Sequence, residues 1–109
     1  MNVLLDENLP LPLCPLLRGH EVFSVKYMGW TGLQNGDLLL AAEGKFDVLL
    51  LADKNLRYQQ NLRDRKLALV ELSTNRWPVL KDNVQAILAA IDSARPGSYT
   101  IVDLSASSA

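Results

Sequence analysis

The sequence predicts an α/β fold: a three-layer sandwich with a mostly parallel central sheet of about five strands flanked by helices. Two patterns lead to this class. Several aliphatic runs are continuous rather than alternating, which is typical of strands buried on both faces of a parallel sheet. Segments with helical periodicity separate these runs. The chain has 109 residues, 49% of them hydrophobic, which suits one domain with its own core.

The predicted strands are short and rich in aliphatic or aromatic residues, the types that favour a pleated, half-buried surface. They lie at residues 3–5, 21–25, 46–51, 67–72 and 99–104. The first strand stops at Asp6, and the central strand of residues 46–51 leads to Asp53.

The first predicted helix begins after Asn8, whose side chain suits the N-terminal cap. Pro10 and Pro12 are tolerated there because a first helical turn has spare N–H groups. Pro15 lies deeper, where a proline removes a hydrogen bond and clashes with the preceding turn. We therefore expect a short or kinked helix.

Three further helices are predicted. One covers residues 37–43, after an Asn-Gly turn, and ends at Gly44, which suits a C-terminal cap. A polar helix follows at residues 55–62. The last lies near residues 80–94, where apolar residues recur at helical spacing.

The chain is predicted to form one domain over residues 1–104, with a flexible Ser/Ala tail at 105–109. The longest aliphatic run, residues 48–52, is far shorter than the roughly 20 residues of a membrane span. No basic-then-apolar leader opens the sequence. Cys14 is the only cysteine, so no disulfide forms within the chain. We expect a cytoplasmic protein without membrane contact.

Acidic side chains gather in the first half of the chain. The net charge is −1, yet residues 1–53 hold 3 Lys/Arg and 7 Asp/Glu, while residues 54–109 hold 8 and 5. Asp6 and Glu7 follow the first strand and Asp53 follows the central one, so they are expected at the same edge of the sheet. Asp37, at a helix start, is a further candidate. Glu43 and Asp47 are expected to be solvated surface acids.

Such carboxylates repel one another unless a cation lies among them, and their hard oxygen atoms suit Mg²⁺ or Mn²⁺. A divalent metal in an acidic cluster can activate water for phosphodiester hydrolysis. The alternative is purely structural: Asp37 as a helix-start acid, Asp6 and Asp53 as turn residues.

Basic side chains gather after Asp53, with a tyrosine among them. Such a segment can contact phosphates and stack a base, although a solvated helix face explains it equally well. The candidate nucleic-acid contacts are Lys54, Arg57, Tyr58 and Arg63. His20 has no second histidine or cysteine pair, which argues against zinc or triad chemistry.

Several segments together resemble the small stand-alone PIN-like proteins, which are related to PIN-domain nucleases, and they span nearly the whole chain. They are Leu4-Leu5-Asp6-Glu7-Asn8-Leu9-Pro10, Gly19-His20-Glu21-Val22, Met28-Gly29-Trp30, Asn35-Gly36-Asp37-Leu38-Leu39, Phe46-Asp47-Val48, Ala52-Asp53-Lys54-Asn55-Leu56-Arg57-Tyr58 and Leu72-Ser73-Thr74-Asn75-Arg76-Trp77-Pro78. The resemblance implies a PIN-like sandwich with Mg²⁺- or Mn²⁺-dependent ribonuclease activity.

Carried over by position, the catalytic and metal-binding residues that the resemblance implies are Asp6, Asp37 and Asp53. Three neighbours of these aspartates in the matched segments are secondary candidates: Glu7, Asn8 and Asn55. The resemblance also implies RNA as substrate, a role as the toxin of a bacterial toxin–antitoxin pair with an antitoxin partner, and a possible homodimer.

Two alternatives stay open. The chain has Leu51 where relatives commonly have threonine, and it lacks a secure match to a late fourth acid, which favours a catalytically silent PIN-like module that binds RNA or a protein. A receiver-like phosphoacceptor domain would use Asp53 as acceptor and Ser73 as its hydroxyl, but the lysine expected after the last strand is missing.

Overall fold

A five-stranded sheet forms the centre of the protein in a computed structural model that describes residues 1–33, 35–52 and 65–104. The strands are β1 (Asn2–Leu5), β2 (Glu21–Ser24), β3 (Val48–Leu51), β4 (Ala68–Leu72) and β5 (Tyr99–Val102). Their order is β2-β1-β3-β4-β5, and every neighbouring pair is parallel. The predicted α/β class with a parallel sheet is confirmed.

Four helices accompany the sheet in the described part of the chain. They are a 3-10 helix (Leu11–Leu16), α1 (Asn35–Ala42), α2 (Trp77–Asp82) and α3 (Val84–Asp92). The helix predicted at residues 55–62 lies outside the described residues, as do Asp53, Lys54, Asn55, Arg57, Tyr58, Arg63 and the predicted tail at 105–109.

The first helix differs from its prediction in type and starting point. Asn8 does not cap it, since the helix begins at Leu11 with Pro10 in the cap position. Its closing hydrogen bonds span three residues, as from the Leu17 N–H to the Cys14 carbonyl at 3.2 Å. Pro15 has no N–H to donate, and its ring would clash with the carbonyl four residues earlier in an α-helix, so a regular α-helix is disfavoured here.

The predicted helix at residues 80–94 is two helices. α2 begins earlier, at Trp77, with Pro78 in its first turn, where a proline needs no hydrogen bond. Asn83 separates α2 from α3, and its side-chain amide donates to the Val79 carbonyl at 2.7 Å. This polar side chain satisfies a carbonyl at the end of α2, and the chain bends there.

Strand side chains alternate between two buried clusters, one on each side of the sheet. The cluster that we call the α3-side cluster joins strand residues to the 3-10 helix, α2 and α3; it includes Val3, Leu5, Val48, Leu50, Val70, Leu72, Leu13, Leu80, Ile87 and Ile91. The α1-side cluster includes Leu4, Leu49, Leu51, Leu69, Val25, Leu38, Leu39, Ala42 and Phe46. Each cluster therefore joins strand side chains to at least one helix, α1 in one cluster and the 3-10 helix, α2 and α3 in the other.

Candidate functional site

The strand order reverses its direction between β1 and β3, at the centre of the sheet. The chain steps from β1 outward to β2 and then crosses back to β3, so the direction of winding reverses between these neighbours. Open α/β sheets bind ligands at such reversal points, because the loops diverge there. Asp6 follows β1 directly, and its backbone N–H donates to the Leu50 carbonyl at 2.9 Å. The pairing of β1 with β3 thus extends one residue past β1 and fixes the Asp6 backbone.

Asp37 lies toward the same edge, as the position of α1 indicates. The far end of this helix is at the amino edge, because the Glu43 carboxylate accepts hydrogen bonds from the backbone of Lys66 and Leu67, just before β4. Eight helical residues extend about 12 Å, close to the length of a four-residue strand. Asp37, exposed in the first turn of α1, is therefore near the carboxyl edge, on the α1 side of the sheet.

Asp53 is two residues past the end of β3 and outside the described residues. Within residues 1–33, 35–52 and 65–104, no three His, Cys, Asp or Glu side chains are grouped closely enough to hold a metal ion. The carboxylate oxygens of Asp6 and Asp37 fit Mg²⁺ or Mn²⁺ in their chemistry, since both ions prefer hard oxygen ligands.

Glu7 and Asn8 connect the loops that border this edge. The Glu7 Oε1 atom accepts from the Gly32 N–H at 3.3 Å, where Gly32 has the positive φ of +87° that favours glycine. The Asn8 carbonyl accepts from the side-chain amide of Asn75 at 3.2 Å. Both residues therefore link the loop after β1 to other loops, one after β2 and one after β4.

A cleft of about 240 Å³ opens beside Asp6. It lies between the residues after β1 and the loop of residues 25–33. Its lining combines two carboxylates, two leucines, two hydroxyls and one ammonium: Asp6, Glu7, Leu9, Leu11, Ser24, Thr31 and Lys26. The lining of the cleft is thus partly apolar and carries charged groups of both signs.

Glu71 is a buried acid that the sequence reasoning missed. It lies in β4 beside Leu51 of β3, on the same side of the sheet as Leu69, and accepts a hydrogen bond from the Tyr99 hydroxyl. The available signal was a single charged residue inside an otherwise aliphatic strand. Glu71 lies one residue before the end of β4, near the edge that carries Asp6.

Two other side chains considered from the sequence make structural contacts. The Ser73 hydroxyl accepts from the Leu104 backbone N–H at 2.8 Å, which joins the ends of β4 and β5. The His20 Nε2 atom lies 2.8 Å from the Asp92 Oδ1 atom, which joins the turn before β2 to the end of α3.

Comparison with protein-family models, curated proteins and solved structures finds no match. In the described part of the chain, no helix has the length and apolar character needed to cross a membrane.

Proposed function

We propose that this chain is a PIN-like, Mg²⁺- or Mn²⁺-dependent ribonuclease that hydrolyses RNA phosphodiester bonds at the carboxyl edge of its sheet. The observation that carries the proposal is the position of Asp6. It lies at the point where the winding of the sheet reverses, and a backbone hydrogen bond of 2.9 Å ties it to β3, the strand that leads to Asp53. Two aspartates that follow neighbouring parallel strands are expected to share one edge.

Asp6, Asp37 and Asp53 would hold the metal ion through their carboxylate oxygens. When bound, a divalent ion supplies an activated water molecule and offsets the negative charge that develops on the phosphate. The chain's own contribution is to hold the carboxylates on rigid elements: Asp6 through the β1–β3 pairing and Asp37 through the anchored helix α1. Lys54, Arg57, Tyr58 and Arg63 would contact the RNA strand.

The proposal includes a cellular location and a role as a toxin. A ribonuclease of this kind would act in the cytoplasm, where its substrate is, as the toxin of a toxin–antitoxin pair. An adjacent short reading frame that encodes a DNA-binding protein would support this role.

The test is cleavage of a panel of structured and single-stranded RNAs in Mn²⁺, Mg²⁺ or EDTA. Wild type is compared with Asp6→Asn and Asp53→Asn, and with Glu21→Gln as the matched control. Glu21 is an exposed carboxylate at the opposite, amino edge of the sheet, in β2. Replacing even a residue that supports a metal ligand lowers activity roughly 10- to 100-fold, so at least this loss is expected in both aspartate variants. The control should cleave like wild type.

Each other outcome has a distinct meaning. Equal cleavage by wild type and both aspartate variants would assign the activity to another site or a contaminant. Absence of cleavage by wild type, with RNA or a partner protein still bound, would favour a catalytically silent module. A gain of mass on treatment with acetyl phosphate would favour the receiver-like alternative.

A further inference from the structure

The amino edge of the sheet, opposite the edge that carries Asp6, has a small pocket with more positive than negative side chains. Its volume is about 150 Å³. The chain contributes to the lining just before three neighbouring strands: at Asp47 before β3, at Lys66 before β4 and at Arg95 before β5. These residues bring two cations and one carboxylate. We call this feature the amino-edge pocket.

The negative and positive groups of the lining lie toward different strands. In the sheet, β3 separates β1 from β4. The Asp47 carboxylate turns toward β1, where its Oδ2 atom accepts from the Asn2 N–H at 2.8 Å. Lys66 and Arg95 precede β4 and β5. An anion in the pocket therefore meets both cations at the end toward β4 and β5, with the carboxylate toward the other end.

Two further carboxylates near this edge are bound to other groups. The Glu43 carboxylate accepts from two backbone N–H groups just before β4. The Asp92 Oδ1 atom, at the end of α3, lies 2.8 Å from the His20 Nε2 atom. Each of these acids therefore has a partner other than the cations of the pocket.

The two cations of the pocket lack a counter-charge. Lys66 and Arg95 are exposed, and neither forms an ion pair within the part of the chain that the structure describes. Two cations that line one space repel each other, and an anion between them offsets this repulsion. Both side chains are hydrogen-bond donors only. The pocket therefore suits an anion with several acceptor oxygen atoms.

Backbone hydrogen bonds hold the segments that carry these cations in a fixed relation. The Gly97 N–H donates to the Lys66 carbonyl at 3.2 Å. The turn before β5 is closed by the Ser98 N–H, which donates to the Arg95 carbonyl at 2.9 Å, and by the Arg95 N–H, which donates to the Ser98 hydroxyl at 3.1 Å. A site whose backbone is already ordered loses little conformational entropy when a ligand binds.

The C-terminal end of α3 lies beside the pocket, since Ala94 is part of the lining. A helix C-terminus carries partial negative charge on its last carbonyl groups, which would repel an anion. Here the Ser93 hydroxyl donates to the Ala89 carbonyl at 2.9 Å, and the Ala94 N–H donates to the Ile91 carbonyl at 3.1 Å. These hydrogen bonds offset part of that negative charge.

We propose that the amino-edge pocket binds a phosphate dianion, either free or as the terminal group of a small phosphorylated compound. The Arg95 guanidinium can bind two phosphate oxygen atoms side by side, and the Lys66 ammonium can bind a third. A carboxylate has only two oxygen atoms and one charge, so it matches the two cations less well. The inference does not rest on the proposed function, because the pocket is at the opposite edge of the sheet.

The size and floor of the pocket limit the rest of the ligand. The volume of about 150 Å³ is below the roughly 300–1,000 Å³ typical of pockets for drug-sized ligands, so a whole nucleotide does not fit. Ala68 and Pro96 give the lining an apolar part. A phosphate group with a short carbon chain therefore suits the space.

The test is a titration followed by the amide chemical shifts of Gly97 and Ser98, at constant ionic strength. The probes are inorganic phosphate, glycerol phosphate and acetate. The variants are Lys66→Gln and Arg95→Gln, and the matched control is Lys81→Gln, which removes the same charge from the last turn of α2. Each pocket variant should raise the Kd for phosphate roughly 3- to 10-fold, and the control should leave it unchanged.

Asp47→Asn gives a change of opposite sign. It removes the one negative charge of the lining but keeps an oxygen atom that can accept from the Asn2 N–H. Phosphate should therefore bind this variant more tightly than it binds wild type.

We expect saturating shifts with both phosphate compounds and weaker binding of acetate. Tighter binding of glycerol phosphate than of inorganic phosphate would identify a phosphorylated compound as the ligand, and the reverse order would identify free phosphate. The inference is overturned by shifts that do not saturate, by wild-type affinity in both pocket variants, by an equal loss in the control, or by acetate binding as tightly as phosphate. None of these results depends on RNA cleavage, so they leave the proposed function to its own test.

Discussion

A buried carboxylate in a parallel strand needs a hydrogen-bond partner, and Glu71 has one in Tyr99. The two residues lie on adjacent strands, where Leu69 pairs with Tyr99 and Glu71 pairs with Ile101, so their side chains meet diagonally on one side of the sheet. Burial of a charged group without such a partner is unfavourable. The tyrosine hydroxyl therefore stabilises this part of the fold.

Tyr99→Phe should lower the free energy of unfolding by about 1–3 kcal/mol, because it leaves the buried Glu71 carboxylate without this donor. Urea unfolding measures the difference. Tyr27→Phe is the matched control, since Tyr27 is 75% exposed, and its effect should stay within about 0.5 kcal/mol. Equal stability of Tyr99→Phe and wild type would mean that the hydrogen bond does not contribute.

Cys14 should react slowly with alkylating reagents in the folded protein. Burial raises the pKa of its thiol above the ordinary value, and a backbone hydrogen bond only partly opposes this. Since the thiolate is the reactive form, iodoacetamide should modify the folded protein more slowly than the urea-unfolded protein at mildly alkaline pH.

The same shift predicts a pH dependence of stability. The folded state holds the Cys14 proton more tightly than the unfolded state does. This contribution is fully present below the unfolded pKa and is lost as pH rises through the folded one. Cys14→Ser should therefore flatten the alkaline fall in stability, and an unchanged profile would contradict this assignment.

The position of Asp6 at the end of a strand could be predicted from the sequence, but the buried Glu71 near the same edge could not. A short aliphatic run followed by an acid predicts a strand with a carboxylate at its carboxyl end. Glu71 was missed because its partner, Tyr99, lies 28 residues further along the chain. No local pattern shows which tyrosine faces which acid across two strands.

Among the secondary-structure elements, α1 packs on the sheet through apolar side chains and is also held at its C-terminal end by Glu43, the residue after the helix. Glu43 is half-buried, and its carboxylate accepts from the Lys66 N–H at 2.9 Å and from the Leu67 N–H at 3.4 Å. The expectation that Glu43 is a solvated acid is therefore wrong. Asp47 is exposed as expected, yet it also accepts from the Asn2 N–H, at 2.8 Å. These acids join elements that are far apart in sequence.

Glu43→Ala should lower the free energy of unfolding by about 1.5–3 kcal/mol, the range for hydrogen bonds to a charged group. Glu43→Gln keeps an acceptor oxygen and should lose less. Glu21→Ala, at an exposed acid in β2, is the control and should change stability by less than about 0.5 kcal/mol. Denaturant midpoints for the three variants check this order, and a Glu43→Ala midpoint equal to the control would contradict it.

Helix boundaries were the weakest part of the sequence prediction. The apolar spacing continues through Asn83, so periodicity alone gives one helix where the structure has α2 and α3. The break depends on a side-chain amide that bonds to the Val79 carbonyl, which competes with helix continuation. Pro78 is a signal for the start of α2 that the prediction of a helix near residues 80–94 did not use, because proline suits a first turn.

At the scale of the whole molecule, two connections between parallel strands have opposite hands. The 3-10 helix, between β1 and β2, and the α2–α3 pair, between β4 and β5, both pack in the α3-side cluster. The first connection leads from β1 to the β2 edge of the sheet, and the second leads from β4 to the β5 edge, which is the opposite direction. Because about 98% of such crossovers are right-handed, the rule would place these two connections on opposite sides of the sheet. On the α1 side, Ile101 of β5 is 61% exposed.

The fold class was predictable, but the strand order was not. Continuous aliphatic strands separated by helices indicate a parallel sheet whatever the order of its strands. The order depends on which strands pair, and β1 pairs with β3 through Val3 and Val48, which are separated by most of the first half of the chain. The side of the sheet on which a connecting helix packs also depends on contacts with helices that are distant in sequence.

Leu50→Ala should lower the free energy of unfolding by about 2–5 kcal/mol, because Leu50 is fully buried at the centre of the sheet. Total stability of a domain this size is about 5–15 kcal/mol, so the variant should unfold at much lower urea. Leu40→Ala removes the same atoms from a residue that is 65% exposed, and its midpoint should stay near wild type. Similar midpoints for both variants would contradict the assigned core.

The hydrogen bond from Asp6 to Leu50 also has a kinetic consequence. β1 lies inside the sheet, and its pairing with β3 closes a long loop, which costs conformational entropy. Such non-local pairing slows refolding. Asp6 reaches its position only in this step, so a refolding intermediate that lacks the β1–β3 ladder also lacks the site. Recovery of any activity that depends on Asp6 should then follow the slow phase of refolding and not the earlier formation of helices.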